Sequence, residues 1–398
     1  MHPADEIRGV KSKKLDKKRI VIAVTGSIAA VETIKLSREL IRHGADVIPI
    51  MTPSATKIIH PDSLWFATGK PPITELSGKT EHVFFCGQIN DPVDLLLICP
   101  CTANTISKIS HGIDDTVVTT FATTAIGSDI PILIVPAMHL SMYNHKIVQK
   151  NIEFCKKSGI KFIGPILEKN KARIADINEI LSYVFRETNK KDLLGKKILI
   201  IGGPTAEQID DVRIVTNRSS GKTAMELTRE AFYRGASVEL FYGTGEEIPP
   251  DFIKVKNFES INDLEKLLKN KNLKIFDIII VCAALSDYIP KKQKGKIPSG
   301  KDKLIVEFSK AQKIISELRN KSPNSKIVGF KLEASKDKIM ERGFDLLKKN
   351  NLDIVVANTL SGFKKNDNEI LIINKKGKII HKKGKKSILA NYILDMVK

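Results

Sequence analysis

The chain has 398 residues, 42% of them hydrophobic and 28% charged, with a formal net charge of +20. That length accommodates two domains with a core each, in an ordinary globular composition. Its apolar runs, such as Ile278 to Leu285, fall far short of the roughly 20 residues of a membrane helix, so no membrane role is expected.

The lead-in Lys11, Lys13, Lys14, Asp16, Lys17, Lys18, Arg19 is not followed by an apolar stretch and a small-residue cleavage site. It reads as a charged extension over residues 1–18, and the cytoplasm is the expected compartment. Five scattered cysteines fit reduced thiols, and Cys99 and Cys101, flanking a proline, match neither a zinc site nor a redox pair. The lysines are spread along the whole chain and aromatics are only 6%, so the interleaved platform of a single-strand binder is missing. The charge suits phosphorylated small molecules better than nucleic acid.

Short apolar runs separated by helical patterns predict strands at 20–24, 46–51, 95–99, 132–135 and 161–163. A polar stretch from Arg186 to Lys197 reads as a linker, with residues 187–195 at its centre. Strands follow at 198–201, 237–242, 278–281, 326–330 and 353–356, with a closing hairpin near 369–381. Near-continuous apolar strands between helices imply an α/β fold with two doubly wound, mostly parallel sheets, over 19–186 and 196–398. Ligands in such folds bind beyond the carboxyl ends of the strands.

The first strand runs into Gly26-Ser27-Ile28-Ala29-Ala30, a strand-to-helix turn suited to a phosphate. It is not GxGxxG, and the second strand ends in Ile50-Met51-Thr52 without an acidic residue for a ribose; both favour a mononucleotide. Any tight turn would also want glycine there. The third strand opens into Pro100-Cys101-Thr102-Ala103-Asn104-Thr105, either a second cradle or a simple cap by Thr102 or Asn104. After the fourth strand comes Pro136-Ala137-Met138-His139-Leu140-Ser141-Met142.

These three segments, in this order, resemble the flavin-containing cysteine decarboxylases over about residues 19–180. That family includes phosphopantothenoylcysteine decarboxylase. The resemblance implies a flavodoxin-like domain holding FMN through Gly26, Ser27, Ile28, Thr52, Thr102 and Asn104. FMN would act as electron sink while carbon dioxide leaves a cysteine carboxylate. His82, in Thr80-Glu81-His82-Val83, matches the catalytic histidine, against the alternative of a surface histidine in a loop. Pro136, Ala137, Met138, His139 and Met142 would clamp the substrate, with His139 where the family has asparagine. The family's cysteine in the flap after the fifth strand is missing; Gly164-Pro165 leads instead to Lys169, Lys171, Ala172 and Arg173.

In the second half, Gly202-Gly203-Pro204-Thr205 precedes Asp210-Asp211-Val212-Arg213 and Thr216-Asn217-Arg218-Ser219-Ser220-Gly221-Lys222-Thr223. The last segment imitates a P-loop, but glycine is absent where Thr216 stands; it remains an anion site before a helix. Ala283-Ala284-Leu285-Ser286-Asp287, Lys296-Ile297-Pro298, and Gly329-Phe330 follow. The ordered set resembles phosphopantothenate–cysteine ligase over about residues 195–398, and the two families are known as one fused protein in this order. The resemblance implies a Rossmann-like domain that activates 4'-phosphopantothenate with CTP and magnesium to an acyl-cytidylate, which cysteine then attacks. The product, 4'-phosphopantothenoylcysteine, would be the substrate of the first domain.

By that resemblance Asn217 stabilises the acyl-phosphate and Ser219, Ser220, Gly221 and Lys222 hold substrate. Ala283, Asp287, Lys296, Phe330, Lys348 and Lys349 contact nucleotide, Asp287 also its magnesium. Read without it, Asp287 is a helix cap and Phe330 a core residue. The loop bearing Lys291, Lys292, Lys294 and Lys296 is expected to be mobile and to order only over a triphosphate. A homo-oligomer is expected, with a trimeric decarboxylase core and dimeric ligase contacts. The competing readings are a decarboxylase of peptidyl cysteine and a basic nucleic-acid-binding flavoprotein.

Overall fold

The structure, a computed structural model, describes residues 2–300, 302–333, 336–359 and 366–398. In its first part β1 (Arg19–Val24), β2 (Asp46–Met51), β3 (Leu95–Cys101), β4 (Ile132–Pro136) and β5 (Lys161–Phe162) form a parallel sheet in the order β2-β1-β3-β4-β5. β3 is buried at all its positions, which is why its sequence is apolar throughout instead of alternating. Helices cover both faces, and Ala23, Ile98, Ile106, Phe121 and Ile134 lie in one shared core. The chain leaves β1 to one side for β2 and returns on the other for β3. This flavodoxin-like order opens a crevice at the carboxyl ends of β1 and β3.

Residues 2–18 are not a free extension. Ala4 and Leu15 are fully buried, and the amides of Gly9 and Lys11 donate to Ile41 O and Arg42 O at 3.0 and 2.9 Å. The expected linker is likewise packed. Glu187 and Thr188 are buried at the end of the helix Ile177–Thr188, and Leu193 is buried in the following unit. The chain divides into two compact units, Met1–Asn189 and Lys190–Lys398.

The second unit holds β6 (Lys197–Gly202), β7 (Ser237–Tyr242), β8 (Lys254–Asn257), β9 (Ile278–Val281), β10 (Lys326–Glu333), β11 (Ile354–Thr359), β12 (Asp367–Asn374) and β13 (Ile379–Lys385). Among the described residues they form one sheet in the order β8-β7-β6-β9-β10-β11-β12-β13. β6 to β11 pair in parallel, in the order of a dinucleotide-binding fold, and β12 and β13 add an antiparallel hairpin at one edge. The chain reverses between β6 and β9, which sets a second crevice there. Leu199, Ile201, Phe241, Ile279, Ile327 and Val355 belong to a separate core. Truncating Phe241 to alanine would cost about 3–5 kcal/mol, as for other buried aromatics.

Candidate active sites

In the first unit the crevice is laced by a residue that the sequence analysis passed over. Thr25, directly after β1, donates its hydroxyl to Pro100 O at 2.8 Å and accepts the Thr102 amide at 3.1 Å. Its only sequence signal is a polar residue between an apolar strand and a glycine. Gly26 follows because a Cβ there would stand 2.5 Å from the Ser54 side chain. Ser27 caps the turn Ile28–Val31, accepting the Ala29 amide at 3.4 Å, and Ile28 is exposed. The Gly26 and Ile28 amides have no partner among the described residues.

Thr52 is buried and caps the turn Pro53–Thr56 through the Ala55 amide at 3.2 Å. Thr102 caps the helix Ala103–Ser110, accepting the Thr105 amide at 3.3 Å, so the capping alternative holds for Thr102. Asn104 does not cap; it is exposed in the first turn of that helix with its amide group unpartnered among the described residues.

His82 lies in the helix Glu81–Cys86 and is half-buried, not a surface histidine in a loop. Its Nδ1 is buried without a hydrogen-bond partner. An orphaned ring nitrogen costs about 1–3 kcal/mol, which a ligand or proton partner would recover. The cysteines offer no alternative nucleophile. Burial pushes the Cys86 thiol up to about 12 and Cys155 up to about 11. Cys99 and Cys101 are fully buried and also raised, leaving all four protonated at neutral pH.

Beyond β4, Met138–His139 joins an antiparallel ribbon with Lys171–Arg173 and Ile166–Glu168. Pro136 and Ala137 are buried and Met138 packs against the core, while His139 and Met142 are exposed. His139 Nδ1 accepts the Ser141 amide at 3.3 Å and meets Ser141 Oγ at 2.9 Å. An accepting Nδ1 places the ring proton on Nε2, pointing away from this turn.

The second unit repeats the device. Thr205, after β6, accepts the Ser286 amide at 2.9 Å and meets Ser286 Oγ at 2.8 Å, joining the loops after β6 and β9. Gly203 has φ +79, and a Cβ there would lie 2.9 Å from the Gly243 amide. Asn217 donates to Ala284 O at 3.0 Å, which places it over the loop Ala283–Asp287. Ser219 and Ser220 are half-buried, and Gly221, at φ +79 against Tyr242, opens the helix Lys222–Tyr233. Lys222 is hydrogen-bonded to Asn366.

Asp287 is exposed and no helix starts beside it; the ribbon Tyr288–Pro290 follows, so the capping alternative falls. Phe330 is half-buried and one residue past Gly329, the partner of Val281, so it is level with the end of β9 and outside the core. The helix Lys336–Lys349 runs back from the carboxyl end of β10. Asp353, just beyond its end, donates its amide to Ile327 O at 2.9 Å, at the amino end of β10. Lys348 and Lys349 are therefore on the opposite edge, away from the other candidate residues.

The Asp-Asp-Val-Arg motif anchors the lysine loop. Asp210 is buried and accepts the amides of Ile297, Val212 and Arg213 at 3.0, 2.8 and 2.6 Å. The Ile297 amide, with those two and the Arg213 guanidinium, outweighs burial and holds the carboxyl well below the usual range. Asp211 accepts the Gly295 amide at 2.8 Å and pairs with Lys292 at 3.0 Å. The loop is thus tied at Gly295 and Ile297 by the two carboxylates. Lys296, between the two ties, is exposed with its ammonium unpartnered among the described residues.

An open cleft of about 560 Å³ lies at the carboxyl ends of β7 and β8, lined in part by Gly243, Asn257 and Lys266. None of the expected site residues line it. Among the described residues no group of three or more His, Cys, Asp or Glu side chains could hold a metal ion.

Residues 8–189 match the Flavoprotein family, and residues 193–398 match the DNA/pantothenate metabolism flavoprotein C-terminal domain. The coenzyme A biosynthesis bifunctional protein CoaBC of Thermococcus kodakarensis is 44% identical over 382 residues, covering 94% of this chain and 93% of that one. The chain belongs to the CoaBC family. The Methanocaldococcus jannaschii member is 40% identical, over 94% of this chain and 92% of its own length. The solved C-terminal domain of a CoaBC protein is 28% identical, with a TM-score of 0.45, and covers 52% of this chain and 96% of that one. The protein is an enzyme of coenzyme A biosynthesis that combines decarboxylase and ligase activities, and its first unit is a flavoprotein domain. No helix is long and apolar enough to cross a membrane among the described residues.

Proposed function

We propose that the second unit joins cysteine to 4'-phosphopantothenate with CTP, and that the first unit decarboxylates the resulting 4'-phosphopantothenoylcysteine with FMN. The observation that carries this is one arrangement found twice: a topological crevice laced by a threonine and rimmed by unpartnered polar groups. In the first unit Gly26, Ser27, Ile28, Thr52, Thr102 and Asn104 would hold FMN, whose phosphate suits the free amides of the turn. The orphaned Nδ1 of His82 and the close approach at Gly26 fit such a ligand. When bound, FMN supplies the electron sink that loss of carbon dioxide requires. His82 takes or returns a proton at the substrate, and His139 donates Nε2–H to the carboxylate that leaves.

In the second unit the carboxylate of 4'-phosphopantothenate attacks the α-phosphorus of CTP and pyrophosphate departs. The amine of cysteine then displaces CMP. Ser219, Ser220, Gly221 and Lys222 receive the phosphate at the amino end of the helix Lys222–Tyr233. Asn217 supports the acyl-phosphate, Lys296 neutralises the triphosphate, and Ala283, Asp287 and Phe330 border the nucleotide. Magnesium would arrive with the triphosphate and take Asp287 as its protein ligand. Lys348 and Lys349, on the other edge of the sheet, are left out. The compartment is the cytoplasm. Exposed Trp65, Phe66 and Phe84 support homo-oligomer contacts.

Flavin titration tests the first half. The purified chain is expected to be yellow, and stripped chain to take up FMN with retention of its absorbance bands through gel filtration. A colourless preparation that binds no FMN would contradict the reading.

A further inference from the structure

We infer that Lys171 is a second carboxylate-binding residue of the decarboxylase, acting beside His139. The inference rests on the reading of the first unit as the decarboxylase. In the antiparallel ribbon His139 lies directly opposite Lys171, and Lys171 directly opposite Glu168. Directly opposed residues share a face with their Cβ atoms about 5 Å apart. The other face carries Met138, Ala172 and Leu167; Ala172 is buried and Met138 packs against the core. That fixes the inward side of the ribbon, so His139, Lys171 and Glu168 project outward together, and all three are exposed.

Glu168, opposite Lys171, has another partner on this face. Glu168 pairs with Arg173 at 3.3 Å, and Arg173 also approaches Asp176 at 4.0 Å. The Lys171 ammonium has no hydrogen bond or ion pair among the described residues. Its ammonium and the outward Nε2–H of His139 are thus two neighbouring donors without an acceptor. A carboxylate has two oxygens and meets both in charge-assisted bonds. The hairpin is locked to the clamp strand, since the Leu140 amide donates to Asn170 O at 2.9 Å, so the two donors keep this register. The hairpin has no cysteine.

A cation on the carboxylate strengthens substrate binding without a specific gain in the transition state, because that charge is lost with carbon dioxide. The experiment compares KM and kcat for 4'-phosphopantothenoylcysteine with the inhibition constant of 4'-phosphopantetheine, the same molecule without the carboxylate. Lys171→Met is expected to raise KM on the order of tenfold, the size of one charge-assisted bond, with kcat changed less than about threefold. The inhibition constant should not change, flavin absorbance should stay at the wild-type level, and Lys171→Arg should restore most of the affinity. A parallel rise of the inhibition constant would overturn the inference, because Lys171 would then serve the phosphate or the shape of the hairpin. An unchanged KM would overturn it as well. If the wild-type chain released no carbon dioxide from this substrate, the decarboxylase reading would fall first and the inference with it.

Discussion

Thr25, one residue past β1, and Thr205, three residues past β6, each follow the strand where the sheet reverses, and each joins two segments across the crevice. The buried Thr25 hydroxyl gives one hydrogen bond and receives another. Valine has the same shape but would leave the Thr102 amide unpaired, at about 1–3 kcal/mol, and Pro100 O with only the longer bond from the residue 25 amide at 3.3 Å. Thr25→Val is therefore expected to weaken FMN binding roughly tenfold or more while ligation stays unchanged. Retention of wild-type FMN affinity, measured by fluorescence titration, would show that this lacing does not shape the flavin site. Neither threonine was legible from the sequence as a site residue. A polar residue before a glycine is common, and its partners, Pro100 and Ser286, lie 75 and 81 residues away along the chain. Glycine-rich turns and small polar residues after strands were legible because close backbone approach restricts the residue types that fit.

At the scale of elements, the sheets were readable where strands are buried on both faces, as in β1, β3, β6 and β9. β8 escaped because an edge strand reading Lys-Val-Lys-Asn buries little and shows no apolar run. The first 18 residues misled for the reverse reason: dense lysines mask Ala4 and Leu15, whose burial needs the tertiary fold. Lys348 and Lys349 were misassigned because nearness in sequence to β10 ignores the direction of the intervening helix. The lysine loop depends on Asp210, whose partner Ile297 is 87 residues away. Asp210→Ala removes the acceptor of that amide and frees the loop. The expected result is a KM for CTP raised about tenfold or more, with carbon dioxide release from supplied 4'-phosphopantothenoylcysteine unchanged. Unchanged nucleotide KM would mean that Lys296 does not need its loop anchored.

At the scale of the whole molecule, each unit has its own core. The second unit is pinned near its start by Arg234, which is 2% exposed and grips Asp192 with two bonds of 2.8 and 2.7 Å. Burial alone would raise the Asp192 carboxyl, but Arg234, with Lys190 and Lys398, brings it down to about 2. A depressed carboxyl stabilises the fold above its unfolded value. That contribution is complete above about pH 4 and is lost as the pH falls toward 2. Asp192→Ala leaves Arg234 buried without its bidentate partner and should destabilise the second unit by about 2–3 kcal/mol near neutral pH. The difference from wild type should shrink below pH 4. The single tryptophan, Trp65, lies in the first unit, so its fluorescence follows that unit alone. Circular dichroism should show the earlier transition of the variant while the Trp65 signal stays in place. A variant as stable as wild type at neutral pH would count against this pairing.

The division of labour between the two units is tested most directly with cysteine labelled in its carboxyl carbon, supplied with CTP, magnesium and 4'-phosphopantothenate. Wild-type chain is expected to release labelled carbon dioxide in step with pyrophosphate. His82→Asn should still release pyrophosphate and accumulate labelled 4'-phosphopantothenoylcysteine, with carbon dioxide at background. Lys296→Gln should form little labelled product from these substrates, yet decarboxylate 4'-phosphopantothenoylcysteine when that is supplied. Labelled carbon dioxide at the wild-type rate from His82→Asn, or normal ligation by Lys296→Gln, would contradict the placement of the two chemistries in the two crevices.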